Sequence, residues 1–169
     1  MIGSVVVSIL SRPQKVVEFM GGLGNQMFQY AFFLKLSKVS NSNCAVDISF
    51  FDENICHNGY ELERVFNITL PKANVKECFI CGKKNRLYRK TIINKIMYKL
   101  IYKKYLYSIK SPAEASEYYP EVLISNYKYY SGYWSNELYF KDIQNEILDM
   151  FQFRNIDSRN LNIAREMQE

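Results

Sequence analysis

The chain has 169 residues, 48% of them hydrophobic and 15% aromatic, with a formal net charge of +5. That length suits one domain with a packed core, no run reaches the roughly 20 apolar residues that span a bilayer, and four cysteines are too few for a small disulfide-stapled scaffold. The apolar run Val5 to Leu10 lacks the basic leader and small-residue cleavage site of a signal peptide, so the expectation is a cytoplasmic protein in a reducing compartment.

Residues 1–14 read as an N-terminal extension, because Ser11-Arg12-Pro13 separates them from the first strand. The domain proper is then 15–169. It opens with Lys15-Val16-Val17-Glu18-Phe19-Met20, rich enough in β-branched and aromatic residues to be a strand. Gly21-Gly22-Leu23-Gly24-Asn25-Gln26 comes next as a glycine turn. From Gln26 to Ser40, Met27, Phe28, Ala31, Phe32, Leu34, Leu36 and Val39 recur at helical spacing. Glycines let a backbone turn sharply and approach a ligand closely, and the first N–H groups of the helix behind them favour an anion such as a phosphate. Asn25 suits the N-cap, although its amide could equally face a substrate. Gly22 and Gly24 depart from the dinucleotide-binding fingerprint in having Met27 where a third glycine belongs. A tight turn with no ligand is the plain alternative.

Asn41-Ser42-Asn43 supplies a turn, and Cys44 to Ile48 a second strand. Strand, helix and strand in that order predict two adjacent parallel strands. Asp47, near the end of the second, stands about where a ribose-binding acid would sit. The loop after it holds Asp52, Glu53 and His57, the sole histidine. A loop histidine titrates near neutrality and can act as a base or hold an acceptor hydroxyl, or it can be an exposed residue without a role. Asp47, Asp52 and Glu53 compete with it as bases. Cys78-Phe79-Ile80-Cys81 has the spacing of half a zinc site, and only Cys56-His57 could complete it. Incidental thiols are the better reading, and no metal is expected.

Residues 83–110 contain ten Lys or Arg and no Asp or Glu. The remainder, 22 less these ten against 17 acidic residues, is net negative by five. Ile92, Ile93, Ile96, Met97, Leu100 and Ile101 form a helical stripe with lysines between them. The pattern fits either a core-packing helix with a solvated basic face or a helix lying on an anionic membrane from the cytoplasmic side. Nucleic acid is not expected, since no fold signature accompanies the charge. Ser111-Pro112 marks the end of that helix. Tyr127 to Trp134 reads as a strand leading into a loop, and Phe140 to Phe151 as a helix with Asp142 and Glu146 outward. Tyr133 and Trp134 could stack on a sugar ring, or Trp134 could fill the core.

The run Gly21 to Ala31, Gly-Gly-Leu-Gly-Asn-Gln-Met-Phe-Gln-Tyr-Ala, resembles the N-terminal signature of the family 11 glycosyltransferases, the α-1,2-fucosyltransferases. Asp47-Ile48-Ser49-Phe50-Phe51 is similar to the family's D-x-S-x-F element. Gly132-Tyr133-Trp134 with Tyr139-Phe140 resembles its Gly-Tyr-Trp and Tyr-Phe pair. The resemblance covers roughly residues 15–165. It implies an α/β fold with a Rossmann-like parallel sheet, the N-terminal half of a GT-B-type enzyme. It further implies transfer of fucose from GDP-fucose to the 2-hydroxyl of a galactoside in surface glycan synthesis, without a metal or other cofactor. Gly22, Gly24, Asn25, Gln26, Tyr133 and Trp134 are the expected substrate-binding residues, with His57 and Asp47 as candidate bases. The family's His-x-Arg-Arg-x-Asp strand, whose arginines hold the donor diphosphate, has no counterpart before Glu169, so a truncated chain, inactive alone, is expected. Two other readings stand beside this one. They are a nucleotide-binding Rossmann module of another class, resting on Gly22, Gly24 and Asp47, and a membrane-surface protein using residues 83–110.

Overall fold

Lys15–Glu18 (β1) is a run whose valines are fully buried on both sides, Val16 and Val17 at 0% exposure. A strand sealed on both faces belongs in the middle of a parallel sheet covered by helices. The computed structural model, which describes residues 14–53, 58–66, 68–84, 90–109 and 111–153, places it there. The other strands are Cys44–Asp47 (β2), Leu106–Ser108 (β3) and Tyr129–Ser131 (β4). They lie in the order β2-β1-β4-β3, all parallel, with Val16 opposite Ala45 and Tyr129. The fold is a Rossmann-like α/β domain, and the two strands flanking the glycine turn are adjacent and parallel, as their order in sequence predicts.

Alternation along the strands divides the core in two. Val17, Val46 and Tyr130 face the long helix Leu23–Ser40 (α1) and join Phe32, Leu36, Trp134 and Tyr139 in the larger cluster. Val16 and Tyr129 face the other way, onto Cys78 and Cys81 of the helix Val75–Cys81. Phe32 is the hub of the first layer. It stacks on Trp134 at 3.9 Å with the rings 8° from parallel, and meets Tyr139 edge-on at 5.4 Å. The second helix is fixed by a capping box, in which Asn74 and Glu77 each bond the other's backbone N–H.

Three boundaries differ from the sequence reading. Helix α1 starts at Leu23, with Gly22 in extended conformation as its N-cap, so Asn25 lies inside the first turn and caps nothing. The glycine that the turn itself requires is Gly21, left-handed at φ 76° and closely approached by Asn25 and Tyr133. Residues 83–110 do not make one helix. An α-helix at Ile92–Met97 widens into a π turn at Tyr98–Tyr102, tightens at Lys103–Tyr105 and gives way to β3. Leu106, Tyr107 and Ser108 pair there with Tyr129, Tyr130 and Ser131 of β4, and the sheet bonds outweigh helical continuation. Ser111-Pro112 begins a short helix, Pro112–Ala115, with Ser111 as N-cap, where an ending was expected. The segment after Phe140 is helical in two pieces, Lys141–Ile143 and Gln144–Met150. Asp142 and Glu146 point outward as expected, to Lys35 and Lys38. The extension up to residue 13, Cys56, His57 and the residues from 154 on lie outside the described residues.

Phe32→Ala should cost about 3–5 kcal/mol, since it empties the space between three aromatic rings. Ile93→Ser, at a residue 72% exposed, should change stability by less than about 0.5 kcal/mol. Denaturant titration of the two variants side by side checks the assignment of the core, and equal costs would contradict it.

Candidate functional site

In an open parallel sheet ligands bind outside the carboxyl ends of the strands, where the strand order reverses. Here that is the gap between β1 and β4, because the chain leaves β1 toward β2 on one side while β4 lies on the other. Two loops meet there, Phe19 to Gly22 after β1 and Gly132 to Trp134 after β4. They close on each other at Gly21: a Cβ added there would come within 2.6 Å of Asn25 Nδ2 and 3.3 Å of the Tyr133 ring. The structure thus packs a buried Gly21 against Asn25 and Tyr133, which are both partly exposed. Behind it the N–H groups of Leu23, Gly24 and Asn25 have no acceptor among the described residues, and the intrahelical ladder starts with Gln26 N–H to Gly22 O at 3.1 Å. Gly24 is exposed, and a Cβ added there would meet nothing within 4 Å. The fold itself makes no demand for glycine at that position.

What holds these loops is a pair of glutamines one helical turn apart. Gln26 and Gln29 are both 0% exposed. A buried primary amide is costly unless its groups are bonded, and these are. Gln26 donates to Gly21 O (3.0 Å) and Gly59 O (2.9 Å) and accepts from Glu61 N–H (2.8 Å). Gln29 donates to Gly132 O (3.1 Å) and accepts from Met20 N–H (3.0 Å). One glutamine ties the turn to the loop around Gly59, and the other ties the end of β1 to the end of β4. Gln26 is therefore a brace beneath the surface, with no part of its side chain left to meet a substrate. Gln29 escapes a reading by motif alone, although its place three residues after Gln26 on an apolar face was a signal.

Trp134 is likewise corrected. It is 0% exposed, pressed on Phe32, and offers no ring face to a sugar. Its backbone is left-handed at φ 56°, rare for a bulky residue, and its Nε1 has no acceptor among the described residues. The strain lies immediately behind Tyr133. Tyr133, partly exposed, is the aromatic residue at the surface of the site.

Asp47 lies on the opposite face of the sheet from α1, 2% exposed. It accepts from Lys83 Nζ (2.7 Å), Tyr129 OH (2.6 Å) and Ser49 N–H (2.9 Å). Lys83 also bonds Glu18 (3.1 Å) and Ser49 Oγ (2.9 Å), and Ser131 donates to Glu18 (2.6 Å). Burial pushes the Asp47 carboxyl up, but the Lys83 charge and these hydrogen bonds outweigh it and hold Asp47 below the ordinary carboxylate value. Burial lowers Lys83, and the charges of Glu18 and Asp47 more than reverse it, so its ammonium is held above the ordinary lysine value. Burial and then the same two carboxylates raise the Tyr129 phenol well above its usual value. An acid so engaged is not a free base, nor is it available to a ribose. That corrects both the candidate-base reading and the ribose-acid reading of Asp47. Asp52, on the short helix Phe50–Glu53, is exposed to solvent. Cys78 and Cys81 pack into the smaller core cluster, and burial raises both thiols. Among the described residues no group of His, Cys, Asp and Glu could hold a metal, and no helix is long and apolar enough to cross a membrane.

A cavity of about 450 Å³ lies at the other end of the sheet, between Lys15, Ser40, Ser125 and Lys128. Both of its lysines are engaged: Lys15 Nζ donates to Ser125 O, Tyr127 O and Tyr130 OH at 2.7–3.0 Å, and Lys128 Nζ lies 4.4 Å from the centre of the Tyr105 ring. The N-terminal ends of parallel strands are also not where this fold takes ligands.

Among known proteins, the chain is similar to an alpha-1,2-colitosyltransferase from Escherichia coli, with 29% identity over 145 residues that cover 84% of this chain and 46% of that protein. The chain therefore spans about half the length of the curated relative it matches. No family model matches the sequence, and no solved structure matches the chain.

The ionic cluster sets a pH dependence with two edges. Asp47, lowered in the fold, stabilises at pH values above its unfolded pKa, and that contribution is lost as pH falls through the folded value. Lys83, raised in the fold, stabilises below its unfolded pKa, and that part is lost as pH rises through the folded value. The cluster's contribution should be full between roughly pH 4 and pH 10 and decline outside. Asp47→Asn should be less stable than the parent at pH 7 and show a flatter acid limb in thermal melts across pH. Parallel limbs in the two proteins would contradict the assignment.

Proposed function

We propose that the chain is the front half of a two-domain GT-B-type glycosyltransferase. Its reaction is a sugar transfer from GDP-fucose, or a closely related GDP-sugar, to the 2-hydroxyl of a galactoside during surface glycan synthesis. One observation carries the reading: the glycine turn at the strand-order switch leaves three helix N–H groups without acceptors among the described residues, beside Asn25 and Tyr133, in a chain similar over 84% of its length to a colitosyltransferase. Colitose is fucose without its 3-hydroxyl, so the two donors pose nearly the same recognition problem.

In such a transfer the acceptor oxygen attacks C1 of the donor sugar, the bond from C1 to the diphosphate breaks, and GDP departs with the electron pair. The acceptor proton passes to a base. The turn and the start of α1 favour negative charge by about half an elementary charge at most. That is too little to hold a leaving diphosphate, which ordinarily takes bidentate arginine contacts. We assign those to a second half. With Asp47 engaged by Lys83 and Tyr129, we assign the base to the stretch that holds Asp52, Glu53 and His57, which adjoins in sequence the loop that Gln26 holds through Gly59 and Glu61. Gly24 and Asn25 present the donor-facing backbone, and Tyr133 offers an apolar face to a sugar.

A second reading, contact with an anionic membrane through residues 83–110, is favoured by a specific observation: the isoleucine stripe of that segment lies in solvent.

The 169-residue chain incubated with GDP-fucose and a galactoside should release no GDP above background. The same chain joined to the second half of the colitosyltransferase relative should release it, and Asn25→Ala in the joined protein should slow release by about tenfold or more. Turnover by the 169-residue chain alone would contradict the division of labour, and an unaltered rate in the Asn25 variant would contradict the role given to the turn.

A further inference from the structure

The helix Ile92–Met97 and the π turn after it touch the rest of the domain along one side. Tyr98, 6% exposed, stacks on Phe79 at 5.6 Å and donates its hydroxyl to Gly82 O at 3.1 Å. Tyr102 meets the same ring edge-on at 5.3 Å. The opposite side is in water. Ile92 is 74% exposed, Ile93 72%, Ile96 51% and Leu100 70%. The stripe that sequence periodicity allowed to be a core face is therefore turned outward, and two tyrosines do the docking in its place. Single exposed apolar residues are ordinary, but four in one helical row are a surface that something covers.

Charge selects the occupant. Lys95, Lys99, Lys103 and Lys104 lie on the same stretch and are exposed, and residues 83–110 contain no acidic side chain. The rest of the chain is net negative by five. A surface that is apolar along its centre, cationic at its margins and attached to an otherwise anionic body matches an anionic lipid bilayer. Isoleucines enter the acyl boundary while ammonium groups stay among the headgroups. The negative remainder is repelled by the same surface, which fixes the orientation.

We infer that residues 92–104 are a membrane anchor in which the exposed Ile93, Ile96 and Leu100 insert into the interface of an anionic bilayer and the neighbouring lysines select it. The inference rests on the reading that residues 83–110 contact a membrane. It adds that apolar insertion, as well as charge, holds the chain there.

The test is cosedimentation of the 169-residue chain with vesicles of equal parts phosphatidylglycerol and phosphatidylcholine, and with phosphatidylcholine alone. At low salt binding should be much tighter to the anionic vesicles, with a weak remainder on phosphatidylcholine that the apolar residues alone supply. Lys95→Gln, Lys99→Gln and Lys103→Gln should each weaken it about fivefold. Ile93→Ser, Ile96→Ser and Leu100→Ser together should weaken it by about tenfold or more, with thermal melts unchanged because all three side chains are exposed. A further readout is retention: binding should decline but persist near 1 M salt, where the screening length falls to about 3 Å. Binding that follows charge but ignores the three serine substitutions would overturn insertion and leave the membrane reading standing. Absence of binding to anionic vesicles would overturn both. If the chain instead self-associates in sedimentation velocity and the serine substitutions abolish that, the face belongs to a second copy and the inference is wrong.

Discussion

Two buried primary amides are the constraint on which the candidate site depends. The loops after β1 and β4 and the loop around Gly59 come from three distant parts of the chain. The β1–β4 ladder aligns where the first two begin, with Val17 opposite Tyr130, but does not extend into them. Gln26 and Gln29 reach them from successive turns of one helix, and each described hydrogen bond goes to backbone. An apolar residue in either place would leave carbonyls and N–H groups unbonded in the interior, at about 1–3 kcal/mol for each group stranded. The alternative for the protein is to let the loops separate, and the surface that Asn25 and Tyr133 form over the buried Gly21 would then be lost. The glycine turn is thus one end of a network whose other parts are buried beneath it.

The two faces of the sheet do different work. On the α1 face, aromatic packing around Phe32 and Trp134 sets the loop after β4, and the left-handed backbone of Trp134 seats a large ring directly behind a partly exposed Tyr133. On the other face, Lys83 is held between Glu18 and Asp47, with Tyr129, Ser49 and Ser131 completing the shell. Breaking one member of such a partly buried group costs more than the net worth of the pair, because the remaining charge is left unmatched. Lys83 is also the residue at which the basic segment begins. The segment is therefore rooted in the sheet at one end and joined to it again through β3 at the other, with its isoleucine face directed away between them.

Much of this was legible in the sequence. The strand, glycine turn, helix and strand up to Asp47 follow from valine-rich runs and one glycine cluster, and local pattern and tertiary structure agree there. A single helix over residues 83–110 fails because the periodicity is genuine only to about Ile101. Beyond that, partnership with β4 decides the conformation, and a strand partner far along the chain leaves no local mark. Which face of that helix packs was equally hidden. Apolar spacing favours the isoleucines, while the contact with Phe79 is made by Tyr98 and Tyr102. At the site, glycines and Asn25 could be read from the motif. The engagement of Asp47, the burial of Trp134 and the bracing by Gln26 and Gln29 could not, because each depends on which atoms lie across the interior.

The central claim is that the braced turn between β1 and β4 is the surface that meets ligand. Its most direct test is a backbone amide titration of the ¹⁵N-labelled chain with GDP-fucose and, separately, with a galactoside. The account requires shifts at Leu23, Gly24, Asn25 and Tyr133, reduced together when Gln29→Leu loosens the join between the two loops. Shifts gathered instead at Lys15, Ser125 and Lys128, at the far end of the sheet, would contradict it.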